Sequence, residues 1–135
     1  MLPSTASRVF IITGSSIYNK TSLIQELEQL LGDNHAGTFA GIKQHGRFAD
    51  VDAAFTDVRK ASLQQPVDTI ISVGGGSPID SAKTLSYWTH QASGKFLTHI
   101  AIPTTLSAAE CTAGGGYTNS DGVKVGFMCP GCEYI

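Results

Sequence analysis

A chain of 135 residues with a formal net charge of −2 and 41% hydrophobic residues has the length of one domain, large enough to enclose a core yet small for an enzyme that closes two domains around a substrate. Its Lys and Arg form no cluster, which excludes the basic face that a nucleic-acid backbone demands. No apolar run approaches the ~20 residues needed to cross a bilayer, Met1–Arg8 lacks the layout of a signal peptide, and the cysteines are odd in number, so a soluble cytoplasmic protein with no membrane partner and no disulfide framework is expected.

Arg8–Thr13 is an apolar run that reads as a strand and ends in Gly14-Ser15-Ser16, a small-residue loop. Leu23, Ile24, Leu27, Leu30 and Leu31 then share one helical face, Ser22 and Gln25 have the spacing of a capping box, and Gly32 is placed to stop the helix. Thr38–Ile42 is a weaker strand. After it, Val51, Ala54, Phe55, Val58 and Ala61 mark a second amphipathic helix that Pro66 closes off.

Asp68–Lys83 reads as a buried strand, a glycine turn and the first turn of a helix. Ile70, Ile71 and Val73 suit a strand covered on both faces, Gly74, Gly75 and Gly76 permit positive φ, and Pro78 is preset for a first helical position. Helix-start amides carry partial positive charge, so this is an anion cradle into which a phosphate would fit. The alternative is a tight strand-to-helix turn with no ligand.

Ile79, Ala82, Leu85 and either Ser86 or Trp88 face inward on the helix that follows, and His99–Ile102 makes a fourth short strand ending at Pro103-Thr104-Thr105. Strands that alternate with helices predict an α/β fold with a doubly wound parallel sheet. Ala113–Thr118 and Val123–Phe127 flank Asn119-Ser120-Asp121-Gly122, which predicts a C-terminal β-hairpin. With no internal repeat or linker, residues 1–135 are expected to form a single domain.

His35, His45, His90 and His99 are scattered without paired ligand spacing. Cys129-Pro130-Gly131-Cys132 is a C-x-x-C that could be a redox pair or half a metal site. No helix follows it, and only Cys111 and a His could complete a zinc set, so it reads as a tail with no redox role.

In this order, Gly74–Lys83, Ala101–Thr105 with Glu110, and Asp121–Lys124 resemble the N-terminal half of the iron-containing alcohol dehydrogenase family. The nearest branch is that of maleylacetate reductase, in which the segment corresponding to Pro103–Glu110 is similarly compact. The resemblance runs over roughly residues 8 to 127 and implies a Rossmann-like nucleotide-binding domain. By position, Gly74, Gly75, Gly76 and Ser77 would meet the dinucleotide pyrophosphate. Asp80 and Lys83 would lie on the helix behind it, Thr104 and Thr105 would line the adenosine side, and Lys124 would approach the nicotinamide ribose. Many members hold the adenosine ribose with an Asp at the end of the first strand; here that place falls at Gly14, followed by Ser15 and Ser16. A 2′-phosphate would meet no carboxylate there, which favours NADP(H) over NAD(H), although Gly14-Ser15-Ser16 also reads as only a loop.

The family's helical domain, which supplies its metal ligands, is expected to be absent from this chain, and no metal is expected from these residues alone. Leu106–Ala109 departs from the family's usual glycine-and-serine turn. The resemblance therefore implies an NADP(H)-binding oxidoreductase that moves hydride between nicotinamide and an alcohol or carbonyl, with self-association as a dimer covering the face a second domain would bury. Lys124, Glu110 and Tyr117 are the candidate proton donors, Glu110 being equally suited to packing at a strand end. The alternatives are a non-catalytic nucleotide-binding module and an inactive truncated homologue.

Overall fold

The computed structural model describes residues 7–43, 47–63, 65–104, 114–118, 121, 123–128 and 133–134, the last three strands by their backbone. In chain order the elements are β1 (Val9–Thr13), α1 (Ser15–Lys20), α2 (Leu23–Leu31), a 3₁₀ turn, β2 (His35–Phe39), α3 (Phe48–Ala61), β3 (Thr69–Gly74), α4 (Gly76–Ser93), β4 (Thr98–Pro103), β5 (Gly114–Thr118), β6 (Lys124–Met128) and β7 (Glu133–Tyr134).

The two most apolar runs occupy the middle of a parallel sheet of order β2-β1-β3-β4-β7. β1 and β3 are buried along their whole length and pair in unbroken register from Val9 opposite Thr69 to Thr13 opposite Val73. Alternate side chains feed two separate cores. Phe10, Ile12 and Ile70 pack with Val51, Ala54 and Val58 of α3 and with Ala82 and Leu85 of α4. Val9, Ile11, Ile71 and Val73 pack with Ile24 and Leu31 of α2 on the opposite side. Each fully buried Ile contributes about 1.5–3 kcal/mol relative to exposure, so helices on both faces follow from strands that are apolar on both. The α/β doubly wound sheet expected from the sequence is thus present, and β5 and β6 form the expected antiparallel hairpin as a separate two-stranded sheet.

The local expectations are corrected in six places. Leu30, placed by the sequence on the apolar face of α2, is 84% exposed, whereas Ile24 and Leu31 are buried. Ser15 and Ser16 are not loop residues; they begin α1, whose N-cap is Gly14. The second strand lies at His35–Phe39 rather than Thr38–Ile42, because its position is set by pairing with β1 from Val9 opposite His35 onward. Ser22 is the N-cap of α2 but makes no side-chain cap bond; its hydroxyl meets Glu26 Oε1 at 3.4 Å, so the Ser22/Gln25 capping box does not form. Pro78 is the third residue of α4, not the first, still within the turn where a missing N–H costs no helical bond. Glu133–Tyr134, read as tail, adds an edge strand beside β4. His45, Thr105, Leu106–Ala109, Glu110, Cys111, Asn119, Ser120, Gly122, Cys129 and Cys132 lie outside the described residues.

Candidate functional site

Strand order reverses between β1 and β3, since β1 continues to β2 on one side and β3 to β4 on the other. In an open α/β sheet the loops that leave the carboxyl ends of two such strands diverge and leave a crevice for a ligand. Gly14 follows β1 at this place, and Gly74 ends β3 and leads through Gly75 into α4.

Gly74 carries the demanding backbone. Its φ is +139°, and a Cβ there would stand 2.9 Å from Pro78 Cγ and 3.5 Å from Ile17 Cδ1, so only glycine fits without strain. Gly75 is the extended N-cap of α4, with φ −83°, and Gly76 is its first residue. Of the three glycines that permit a positive φ, Gly74 alone adopts one. The chain turns sharply at this residue and enters a long helix, whose start presents main-chain amides at the partly positive end of the helix dipole.

Two hydrogen bonds fix the turn from behind. Thr13 Oγ1 donates to the Val73 carbonyl at 2.8 Å, and the Thr104 amide donates to the Gly74 carbonyl at 2.8 Å. Thr104 is exposed at the end of β4, so the structure brings Gly74, Gly75, Gly76, Ser77 and Thr104 together. Gly14 is half-buried beside them on the other lip. A Cβ on it would come 3.2 Å from the Ile42 carbonyl oxygen, and the exposed Ser15 and Ser16 follow, with no acidic residue in the first turn of α1.

Beneath α4 lies a polar layer. Lys83 is fully buried, with its Nζ 3.8 Å from Oδ1 of Asp80, which is 36% exposed. His99 is also fully buried, and its Nε2 meets Ser72 Oγ at 2.6 Å. Burial first, and the Lys83 cation second, push the imidazole down from 6.5 to about 4, so His99 is neutral at pH 7. The sequence reading of His99 as one of four scattered histidines misses this placement. The signal available was a serine and a histidine inside otherwise apolar strands.

Of the remaining candidates, Tyr117 stands opposite Val125 and Lys124 opposite Thr118 on adjacent rungs of the hairpin, whose β5 packs on α4. Among the described residues no three His, Cys, Asp or Glu side chains converge into a group that could hold a metal, and no helix is long and apolar enough to cross a membrane.

The chain matches known proteins in one direction. A family model described as iron-containing alcohol dehydrogenase covers residues 1–132. A maleylacetate reductase of Sphingobium indicum is 35% identical over 100 residues, which is 74% of this chain and 25% of that protein. The crystal structure of maleylacetate reductase from a Rhizobium strain superposes with a TM-score of 0.78 at 25% identity, covering 96% of this chain and 34% of that one. A sulfoacetaldehyde reductase of Bifidobacterium kashiwanohense, solved in complex with NAD+, shares the fold with a TM-score of 0.78 at 20% identity, covering 96% of this chain and 38% of that one. The chain therefore spans between a quarter and two fifths of the length of these relatives.

Proposed function

This chain belongs to the family of iron-containing alcohol dehydrogenases, and on that premise we propose that its glycine turn holds the pyrophosphate of a nicotinamide dinucleotide. The observation that carries this reading is Gly74, at φ +139°, where the strand order reverses and α4 begins. A pyrophosphate there would approach backbone without meeting a Cβ, on the amides of Gly75, Gly76 and Ser77. Thr104 and Thr105 would line the adenosine side, and Asp80 with Lys83 would support the helix from behind. That a fold neighbour was solved with NAD+ supports the same class of ligand.

The preferred form is NADP(H). Gly14 follows the end of β1, where a carboxylate would repel a 2′-phosphate, and the first turn of α1 holds Ser15 and Ser16 with no acid. Within this reading the chain serves an oxidoreductase that moves hydride between the nicotinamide and an alcohol or carbonyl. The cofactor supplies the hydride and the domain binds and orients it. Lys124 would approach the nicotinamide ribose, and Lys124, Glu110 and Tyr117 are the candidate proton donors.

Calorimetric titration of the purified chain with NADPH and with NADH tests the proposal. Micromolar NADPH binding, weaker NADH binding and loss of both in Gly75→Val are expected. Absence of binding by either cofactor overturns it. Turnover with a panel of aldehydes and alcohols then separates an oxidoreductase from a nucleotide-binding module without catalysis.

A further inference from the structure

The opposite end of the sheet, where β3 and β4 begin, carries a cavity of about 660 Å³. It opens where the last turns of α3 and α4 meet the segments that lead into β3 and β4, so the length of the parallel strands separates it from the glycine turn. Most of its lining is apolar, with Phe55 and Val58 of α3, Ala92 of α4 and Leu97 ahead of β4, and the hydroxyls of Ser62, Thr89 and Ser93 interrupt it. Its volume is that of a small-molecule pocket.

Two cations stand at its mouth, Arg59 and Lys95, both exposed. The Arg59 guanidinium lies 5.9 Å above the Phe55 ring. Among the described residues neither cation has a carboxylate within ion-pair distance. The acid that also borders the cavity, the exposed Asp68, is held by its neighbours: its Oδ1 accepts from the Arg8 amide at 3.1 Å and from Thr69 Oγ1 at 2.9 Å. The partly negative ends of α3 and α4 are capped locally. Ser62 Oγ donates to the Val58 carbonyl at 2.8 Å, Ser93 Oγ to the Thr89 carbonyl at 2.8 Å, and the Gly94 amide to the His90 carbonyl at 2.7 Å. An apolar cavity with two cations at its mouth and its own acid engaged elsewhere complements one ligand chemistry, an anion on an apolar body.

We infer that this cavity is a binding site for a small apolar monocarboxylate, whose hydrocarbon body packs on Phe55, Val58 and Leu97 and whose carboxylate meets Arg59 and Lys95. The site is separate from the dinucleotide reading and stands or falls apart from it.

Trp88, the only tryptophan of the chain, reports on it, since its ring centroid lies 5.4 Å from that of Phe55. Octanoate, titrated below its micelle-forming concentration, should change Trp88 emission saturably, while 1-octanol and octylamine should bind about tenfold more weakly or worse, the value of one charge-assisted contact. Replacing both cations (Arg59→Gln with Lys95→Gln) should weaken octanoate about tenfold without altering octanol. Ala92→Phe, which fills the cavity from an exposed position, should remove binding of both. Octanol that binds as tightly as octanoate, octanoate binding that survives loss of both cations or filling by Ala92→Phe, or no saturable change at all would overturn the assignment.

Discussion

The Thr13 hydroxyl donates to the Val73 carbonyl at 2.8 Å, both residues fully buried, and so ties the last residue of β1 to the residue ahead of the Gly74 turn. The two are opposite one another in the β1–β3 register, at the last rung before the chains diverge. Beyond it Gly14 and Gly74 lead to opposite lips of the crevice. A side-chain bond at this rung therefore sets the spacing of the two lips independently of the loops and helices that they lead into.

Thr13→Val keeps the shape and removes the donor. The buried carbonyl of Val73 loses one partner, which costs about 1 kcal/mol. Urea denaturation followed by Trp88 fluorescence should show that loss as a lower midpoint with an unchanged slope, and NADPH binding should weaken severalfold. Unchanged cofactor binding in a destabilised variant would confine the bond to a structural role.

Gly74→Ala places a Cβ 2.9 Å from Pro78 Cγ on a backbone at φ +139°. Strain of this kind costs of order 1–3 kcal/mol, and the turn must open to relieve it. Gly94 has φ +78° with nothing within 4 Å of a Cβ, so Gly94→Ala costs only about 1 kcal/mol, a conformational term without a clash. Denaturation midpoints should rank the two variants in that order, and only Gly74→Ala should impair NADPH binding.

Gly14→Asp tests the cofactor preference. The new carboxylate would stand beside the place assigned to the adenosine ribose and repel a 2′-phosphate, so the ratio of NADPH to NADH affinity should fall by at least about tenfold. The Ile42 carbonyl oxygen, 3.2 Å from the new Cβ, must yield by a few tenths of an ångström. The ratio of the two affinities, which cancels that common cost, is the quantity to measure.

Ser86 joins α4 to the segment that leads into β4. Its buried Oγ accepts from the Leu97 amide at 2.9 Å and donates to the Leu97 carbonyl at 3.3 Å. Ser86→Ala strands both main-chain groups in the core and should cost about 1–3 kcal/mol, measured as the shift in denaturation free energy.

How far each segment is legible in the sequence depends on how much it decides for itself. β1, β3 and the Gly74 turn are legible because apolar runs buried on both faces and a glycine with forced φ leave their mark in residue type. The apolar faces of α3 and α4 are legible for the same reason, and so is that of α2 apart from Leu30, which is 84% exposed. β2 is not: it is half-buried throughout, contains Ala36 and Gly37, and takes its position from β1. α1 buries no residue fully and is placed by its neighbours in the chain, so Ser15 and Ser16 read as a loop. Within the site the glycine turn was legible, whereas Thr13, Ser72 and the buried Lys83 were hidden, because a polar residue that finds its partner in a distant element looks like a solvated one in sequence.

His99 gives the fold a pH limit. Its folded value of about 4 lies below the ordinary 6.5 because burial, and next the Lys83 cation, oppose a charge on the ring. The unfolded chain therefore binds a proton at higher pH than the folded one does. The contribution to stability is complete above pH 6.5, declines as pH falls, and is lost below about 4; the whole span is worth on the order of 3 kcal/mol. His99→Gln should begin from a lower stability at pH 7, because Ser72 and the surrounding core must readjust, but should lose the part of the slope between pH 6.5 and about 4 that His99 supplies. A proton NMR titration of the His99 ring in the wild-type chain gives the direct check. A midpoint near 4 supports the account, and one near 6.5 would show that neither burial nor Lys83 governs this residue.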